Sequence, residues 1–149
     1  MSELKLNSLS LGLWEKYKED LIALYQEAFS GPPYFESFKK QEVLVIWEEL
    51  LVNPGSNNVV AFVGDRLVGF CGGFRADQDE KITEILENDL SVLPAKAFYL
   101  AELGVKQEYR RQGYGTELVR EIVSRETRKN SHATIVTRTQ AQGSNPIKI

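Results

Sequence analysis

The sequence predicts an α/β fold built on a mixed, mostly antiparallel sheet flanked by helices. Three observations predict it. Apolar residues recur at helical spacing in two segments of the first third of the chain. Two β-rich runs in the middle are joined by a Gly-Asp turn, and the last third reads strand, glycine-rich turn, helix, strand.

The elements follow in order. Lys5–Leu9 alternates weakly and predicts a first strand. Trp14, Tyr17, Leu21, Leu24, Tyr25 and Ala28 share one helical face, predicting a helix from about Leu13 to Phe29. Ser30-Gly31-Pro32-Pro33 stops it, because glycine accepts a left-handed cap and proline cannot continue the hydrogen-bond ladder. A second helix, about Phe38 to Val52, ends at Asn53-Pro54-Gly55. Asn58–Val63 and Arg66–Phe74, separated by Gly64-Asp65, read as a β-hairpin. Gly69, Gly72 and Gly73 in its second strand point to a bulge or to close approach of another group. Arg75–Pro94 is acidic, and the spacing of Ile82, Ile85 and Leu86 predicts a short helix there. Ala97–Val105 is a long strand, Gly113–Lys129 an amphipathic helix through Leu118, Val119, Ile122 and Val123, and Thr134–Thr139 a buried-type strand. The final strand–helix–strand unit predicts a parallel crossover.

At 149 residues, without repeats or a low-complexity linker, the chain reads as a single domain, 1–149. The longest apolar runs, such as Val43–Trp47, hold four or five residues, against the roughly 20 needed to span a bilayer, so no membrane partner is expected. Met1-Ser2-Glu3-Leu4-Lys5 lacks the basic and apolar regions of a secretory signal. The lone Cys71 excludes an internal disulfide and a multi-cysteine metal site, so a reducing, cytoplasmic setting is the default. His132 and Cys71 both read as structural, and no metal is expected. The net charge of −3 argues against nucleic acid. Its distribution is uneven: Lys106–Lys129 carries 7 basic and 4 acidic residues, whereas the rest carries 11 basic and 17 acidic. Such a basic island suits either an anionic ligand or a solvated helix face.

The chemistry concentrates where Tyr99–Val105 feeds Lys106–Gln112 and then Gly113-Tyr114-Gly115-Thr116 opens a helix. First-turn N–H groups have no intrahelical partner, and the helix dipole favours negative charge there. Gly113 and Gly115 remove side chains either where a phosphate approaches backbone or where helix and strand would crowd. No Gly-Lys-Ser/Thr follows, which excludes a nucleotide-hydrolysing phosphate loop. Leu118 stands where a dinucleotide fingerprint needs its third glycine.

The segment Arg110-x-x-Gly113-x-Gly115, between a strand ending at Val105 and helix residues Leu118 and Val119, resembles motif A of the GNAT superfamily of N-acetyltransferases. The resemblance implies a GNAT-like fold with a β-loop-α-β coenzyme A-binding unit, and acetyl-CoA as acetyl donor. It implies that backbone N–H groups of Arg111, Gln112, Gly113, Gly115 and Thr116 hold the pyrophosphate, flanked by Arg110 and Tyr114. The pantetheine would pair with exposed backbone at Leu103, Gly104 and Val105, where the strand splays from its neighbour at a bulge. A strand N–H near Val105 would polarise the thioester carbonyl.

Transfer to a primary amine of a small molecule, the implied activity, needs an unprotonated nucleophile, and a lysine-like ammonium has a pKa near 10.4. Glu102 is the expected base, if its side chain faces a cleft and not the solvated outer face. In several family members that glutamate lies three residues earlier, at the place of Tyr99. Ala28-Phe29-Ser30-Gly31-Pro32-Pro33-Tyr34 resembles the Pro-Pro-aromatic turn of aminoglycoside-type acetyltransferases, which makes Tyr34 and Glu36 expected acceptor contacts. The plainer alternative is a helix stop with core aromatics. Asp77–Asp89 would draw in cations. The family's thiolate-protonating tyrosine follows a pattern that here reads Pro146-Ile147-Lys148-Ile149 and stops one residue short, with Asn145 close to a commonly placed asparagine. The C-terminal helix and strands are thus expected to be missing. The exposed sheet edge would favour aggregation or a homo-oligomer and impair turnover, leaving an acyl-CoA-binding module or a peptide N-acetyltransferase as alternatives.

Overall fold

The computed structural model of the chain describes residues 3–32, 34–76, 96–130 and 133–137. The acidic run 77–95 with its expected short helix lies outside the described residues, as do His132, Asn145 and Pro146–Ile149.

Strand β1 (Leu4–Ser8) leads into helix α1 (Leu11–Ser30), which starts two residues before its apolar periodicity because Ser10 caps it. The Ser10 hydroxyl accepts the Leu13 N–H at 3.1 Å, satisfying one of the free first-turn donors. Helix α2 (Lys40–Val52) starts two residues later than the periodicity predicts, where the Glu42 carboxylate accepts the Lys39 N–H at 2.9 Å. It stops at Asn53, whose side chain accepts the Gly55 N–H across Pro54. Strands β2 (Ser56–Val63) and β3 (Arg66–Arg75) form the predicted hairpin, with Gly64 at φ 60° in the turn. Strand β4 (Ala97–Val105), a single 3-10 turn (Gln107–Tyr109), helix α3 (Tyr114–Lys129) and strand β5 (Thr134–Val136) complete the described elements.

The five strands lie in the order β1-β2-β3-β4-β5. The first three pairings are antiparallel, and β4–β5 is parallel across the α3 crossover. Helices α1 and α2 bury Trp14, Leu21, Tyr25, Val43 and Trp47 against Val60, Phe62 and Phe70 on one face of the sheet. On the other face, α3 packs Leu118, Val119 and Ile122 against Val59, Val68, Cys71 and Phe98. Burying side chains of this size stabilises by about 1.5–3 kcal/mol each. Among the described residues one acidic side chain is buried with them: Glu126 of α3 accepts the Asn57 amide at 2.9 Å and lies 3.4 Å from Lys129 Nζ.

The glycine-rich β3 faces the bulge that its composition predicts. Gly72 opposes Glu102 and Gly73 opposes Leu100, so Ala101 has no partner in the register. One extra residue reverses which face the following side chains occupy. Phe98 and Leu100 belong to the α3 face, and so do Leu103 and Val105 beyond the bulge. Glu102 and Gly104 therefore turn to the α1 face. Gly104 has to be glycine there, because an added Cβ would run into the Phe70 ring and stand 3.0 Å from the Ala28 Cβ.

Candidate active site

Two neighbouring cavities meet on this re-aimed stretch of β4. The smaller, about 240 Å³, is lined by Tyr25 and Phe29 of α1, by Tyr34, Glu36 and Phe38 of the following loop, and by β4 from Tyr99 to Leu103 with Thr137. The larger, about 430 Å³, is lined by Ala28, Tyr34, Leu103, Gly104, Val105, the turn residues Tyr109–Arg111, and Gly113–Thr116. Tyr34 and Leu103 belong to both linings.

Glu102 is the ionisable centre of the smaller cavity. Its partly buried carboxylate accepts the Tyr25 hydroxyl through both oxygens, at 2.7 and 3.0 Å. Loss of water raises its pKa from the ordinary 4.5 to about 7; the Tyr25 hydrogen bond pulls the other way, and the charge of Glu36 adds to the rise. Such a carboxyl exchanges its proton near neutral pH. Cys71, fully buried nearby on β3, is pushed up to about 12 by burial and by the Glu102 charge, which makes it an inert thiol.

The larger cavity is walled by free backbone donors. Gly113 sits at φ 81° as the N-cap of α3 and makes no side-chain cap bond. The helical ladder begins only with Glu117 N–H to the Gly113 carbonyl at 3.0 Å, leaving the N–H groups of Tyr114, Gly115 and Thr116 ahead of it. Arg111 also adopts positive φ, at 66°, so two left-handed residues within three positions curl the loop into a concave run. An added Cβ at Gly113 would meet nothing within 4 Å, and at Gly115 only Val105 Cγ2 at 3.8 Å. Neither glycine relieves crowding between helix and strand. Each keeps open space in front of the helix N-terminus.

The edge of β4 carries the second set of backbone groups. Lys106 N–H donates to Val68 carbonyl at 2.8 Å, so by antiparallel alternation Gly104 and Glu102 also direct their main-chain groups to β3. Leu103 and Val105 direct theirs outward. Among the described residues, β5 covers that edge only along Ala97–Tyr99, with the Thr137 hydroxyl donating to Leu100 carbonyl at 3.3 Å.

The sequence model of the Acetyltransferase (GNAT) family matches residues 14–145. The chain belongs to the GNAT acetyltransferase family. No curated protein sequence matches it. Solved GNAT structures share the fold at low identity. An aminoglycoside N-acetyltransferase, AAC(6')-Iy in complex with coenzyme A, superposes with a TM-score of 0.69 at 14% identity, covering 95% of this chain and 80% of that one. The paia N-acetyltransferase of Thermoplasma acidophilum, also with coenzyme A, gives 0.65 at 19% identity over 95% and 82%. An aminoglycoside acetyltransferase from an uncultured soil metagenomic sample, in complex with sisomicin, gives 0.62 at 19% over 93% and 78%.

On this GNAT fold, the residues expected from motif A divide into three groups. Leu103, Gly104, Val105, Arg111, Gly113, Tyr114, Gly115 and Thr116 line the larger cavity. Gln112 is exposed outside that lining. Arg110 lines it, but its guanidinium is committed elsewhere: it donates to the carbonyls of Val105 (3.2 Å), Pro32 (3.3 Å) and Ala28 (2.6 Å). Its charge ties the loop to the end of α1. The Lys106–Glu27 ion pair at 2.9 Å and the Gln107 N–H to Glu27 at 2.8 Å reinforce that junction. Glu102, Tyr34 and Glu36 come together around the smaller cavity. Tyr25, Phe38 and Tyr99 also line it and escaped sequence reasoning, since an apolar helical period reads Tyr25 as core. The one available signal was its hydroxyl, which needs a partner when buried. Among the described residues, no group of three metal-ligating side chains forms and no helix is long and apolar enough to cross a membrane.

Proposed function

We propose that this GNAT chain transfers the acetyl group of acetyl-CoA to a primary amine of a small molecule by direct attack. The observation that carries the reading is the meeting of two cavities at Leu103 and Tyr34, one walled by free backbone donors and one holding Glu102.

The residues present fit the donor's polar end. The N–H groups of Tyr114, Gly115 and Thr116, the positive end of α3 and the Arg111 charge suit a pyrophosphate, and both glycines leave it room. The outward main-chain groups of Leu103 and the Val105 N–H suit an amide-bearing arm that adds to the sheet edge, the Val105 carbonyl being held by Arg110. Acetyl-CoA supplies an activated acyl group: a C–N bond forms as the C–S bond breaks, giving an acetamide and free thiol. The Val105 N–H lies where β4 can donate to a carbonyl oxygen that gains charge.

Glu102 binds and deprotonates the acceptor. Ionised above about pH 7, it attracts an ammonium group into the cavity and then takes its proton, with Glu36 adding negative charge at the mouth. The aromatic wall of Tyr25, Phe29, Tyr34, Phe38 and Tyr99 suits a cation stripped of part of its water. A volume of about 240 Å³ admits a small amine or the amine-bearing end of a larger one. In support, one structure of AAC(6')-Iy was solved with the bisubstrate analogue CoA-S-monomethyl-acetylneamine, which joins both halves of such a reaction in that protein.

The test is calorimetric binding of acetyl-CoA together with thiol release across a panel of small amines and peptide amines. Binding with amine-dependent thiol release is expected. Binding without release would leave an acyl-CoA-binding module in place of the enzyme, and release only with peptides would overturn the small-molecule acceptor.

A further inference from the structure

Tyr25 stands apart from the other aromatic residues of the cavity. It is 3% exposed on α1 and held by rings on every side: Phe29 at 4.8 Å, Phe38 at 5.2 Å, Phe70 stacked at 5.4 Å and Trp47 at 6.3 Å. A side chain so enclosed has one rotamer, and its hydroxyl one direction. That direction is the Glu102 carboxylate, 77 residues away in sequence, which it bridges through both oxygens. Packing alone would be served by phenylalanine. A hydroxyl in an otherwise apolar cluster is costly unless its bond is made, so the site is built around that bond.

We propose that Tyr25 is a positioning residue for acetyl transfer: its phenol fixes the Glu102 carboxylate in the acceptor cavity and favours its ionised form. The inference rests on the reading of Glu102 as the base. The bulge at Ala101 turns Glu102 toward α1, and Tyr25 fixes where on that face the carboxylate stops. The phenol keeps its own proton, because burial and the adjacent carboxylates of Glu102 and Glu36 push its pKa far above the ordinary 10.0. It is therefore a pure donor at every working pH. Around the carboxylate stand Tyr25 from α1, Tyr34 and Glu36 from the loop, Tyr99 of β4 and Cys71 of β3. Glu36 opposes ionisation of Glu102, Cys71 stays neutral, and the Tyr25 hydrogen bond favours it.

Tyr25→Phe keeps the ring and removes the donor. In the carbon-13-labelled glutamate spectrum of the whole chain, the Glu102 carboxyl should titrate about half a unit or more higher in Tyr25→Phe than in the parent. The acid limb of kcat/KM for acetyl transfer should move up by the same amount, with activity recovering at higher pH. A purely structural role would lower activity evenly at all pH values and leave the Glu102 midpoint in place; that result overturns the proposal. If the parent releases no thiol with any amine, the base reading fails, while the carboxyl titration still decides whether Tyr25 governs Glu102. Should Tyr25→Phe not fold, the parent gives a second reading: the buried Tyr25 hydroxyl proton should be visible in the proton NMR spectrum and shift as Glu102 titrates, and a hydroxyl resonance that stays in place through the Glu102 midpoint would overturn the pairing.

Discussion

A carboxylate withdrawn from water beside a second carboxylate keeps its proton until near-neutral pH, and Glu102 is in that position. Its proposed role as base follows from its protonation state. Thiol release should rise with pH through about 7 as Glu102 ionises, and Glu102→Gln should lower kcat/KM at pH 7 by roughly 10²-fold or more while erasing that limb. A pH–rate profile of both proteins checks this; an unchanged limb in the variant would assign it to another group. The sequence placed Glu102 on β4 and left its face open. Alternation alone puts it with Phe98 and Leu100 on the α3 side, and only the unpaired Ala101 turns it to α1. The glycines at 72 and 73 advertised an irregularity without saying on which strand the extra residue lay.

At the scale of elements, the β4–turn–α3 unit was the most legible part, because a strand, two glycines and an amphipathic helix each carry a local signal. The strand bounds agree with the expected Ala97–Val105, and the parallel crossover to β5 is present. Less legible was how that unit grips α1. Arg110 reads as charge for a phosphate, yet its donors close on the carbonyls of Ala28, Pro32 and Val105. Long-range side-chain-to-backbone bonds leave no periodic trace in sequence. The contact between β4 and α1 is close enough to test by one methyl group. Gly104→Ala drives a Cβ against Phe70 and Ala28, and should destabilise the fold by about 1–3 kcal/mol in denaturant unfolding. A variant as stable as the parent would mean that α1 sits farther from β4.

For the molecule as a whole, two glutamates shape stability against pH with opposite signs. Burial opposes the charge of Glu27, but the hydrogen bonds from Lys106 and the Gln107 N–H, with the nearby Lys106 and Arg110 charges, hold its pKa below the ordinary 4.5. Its contribution is present above pH 4.5 and is lost as pH falls through the folded value. Glu102 is raised, so the folded state holds its proton longer than the unfolded chain does. Stability therefore declines as pH rises from 4.5 through about 7. Glu102→Gln should raise Tm at pH 8 relative to the parent and change it little at pH 4, where both states are protonated. Thermal melts at the two pH values check this, and a lower Tm at pH 8 would contradict the burial of an ionising carboxylate. Gained stability with lost activity is the trade expected if Glu102 is the proposed base.

The open space at Gly113 and Gly115 is proposed to take the pyrophosphate of the donor. Gly115 is the better place to test it, because its backbone is helical and an added Cβ meets only Val105 at 3.8 Å. Calorimetric titration of acetyl-CoA into the parent and into Gly115→Glu, with a thermal melt of each, isolates the loop from the fold. Gly115→Glu should melt close to the parent and bind acetyl-CoA at least about tenfold more weakly, a loss of about 1.4 kcal/mol or more. Equal affinity in the two proteins would contradict it.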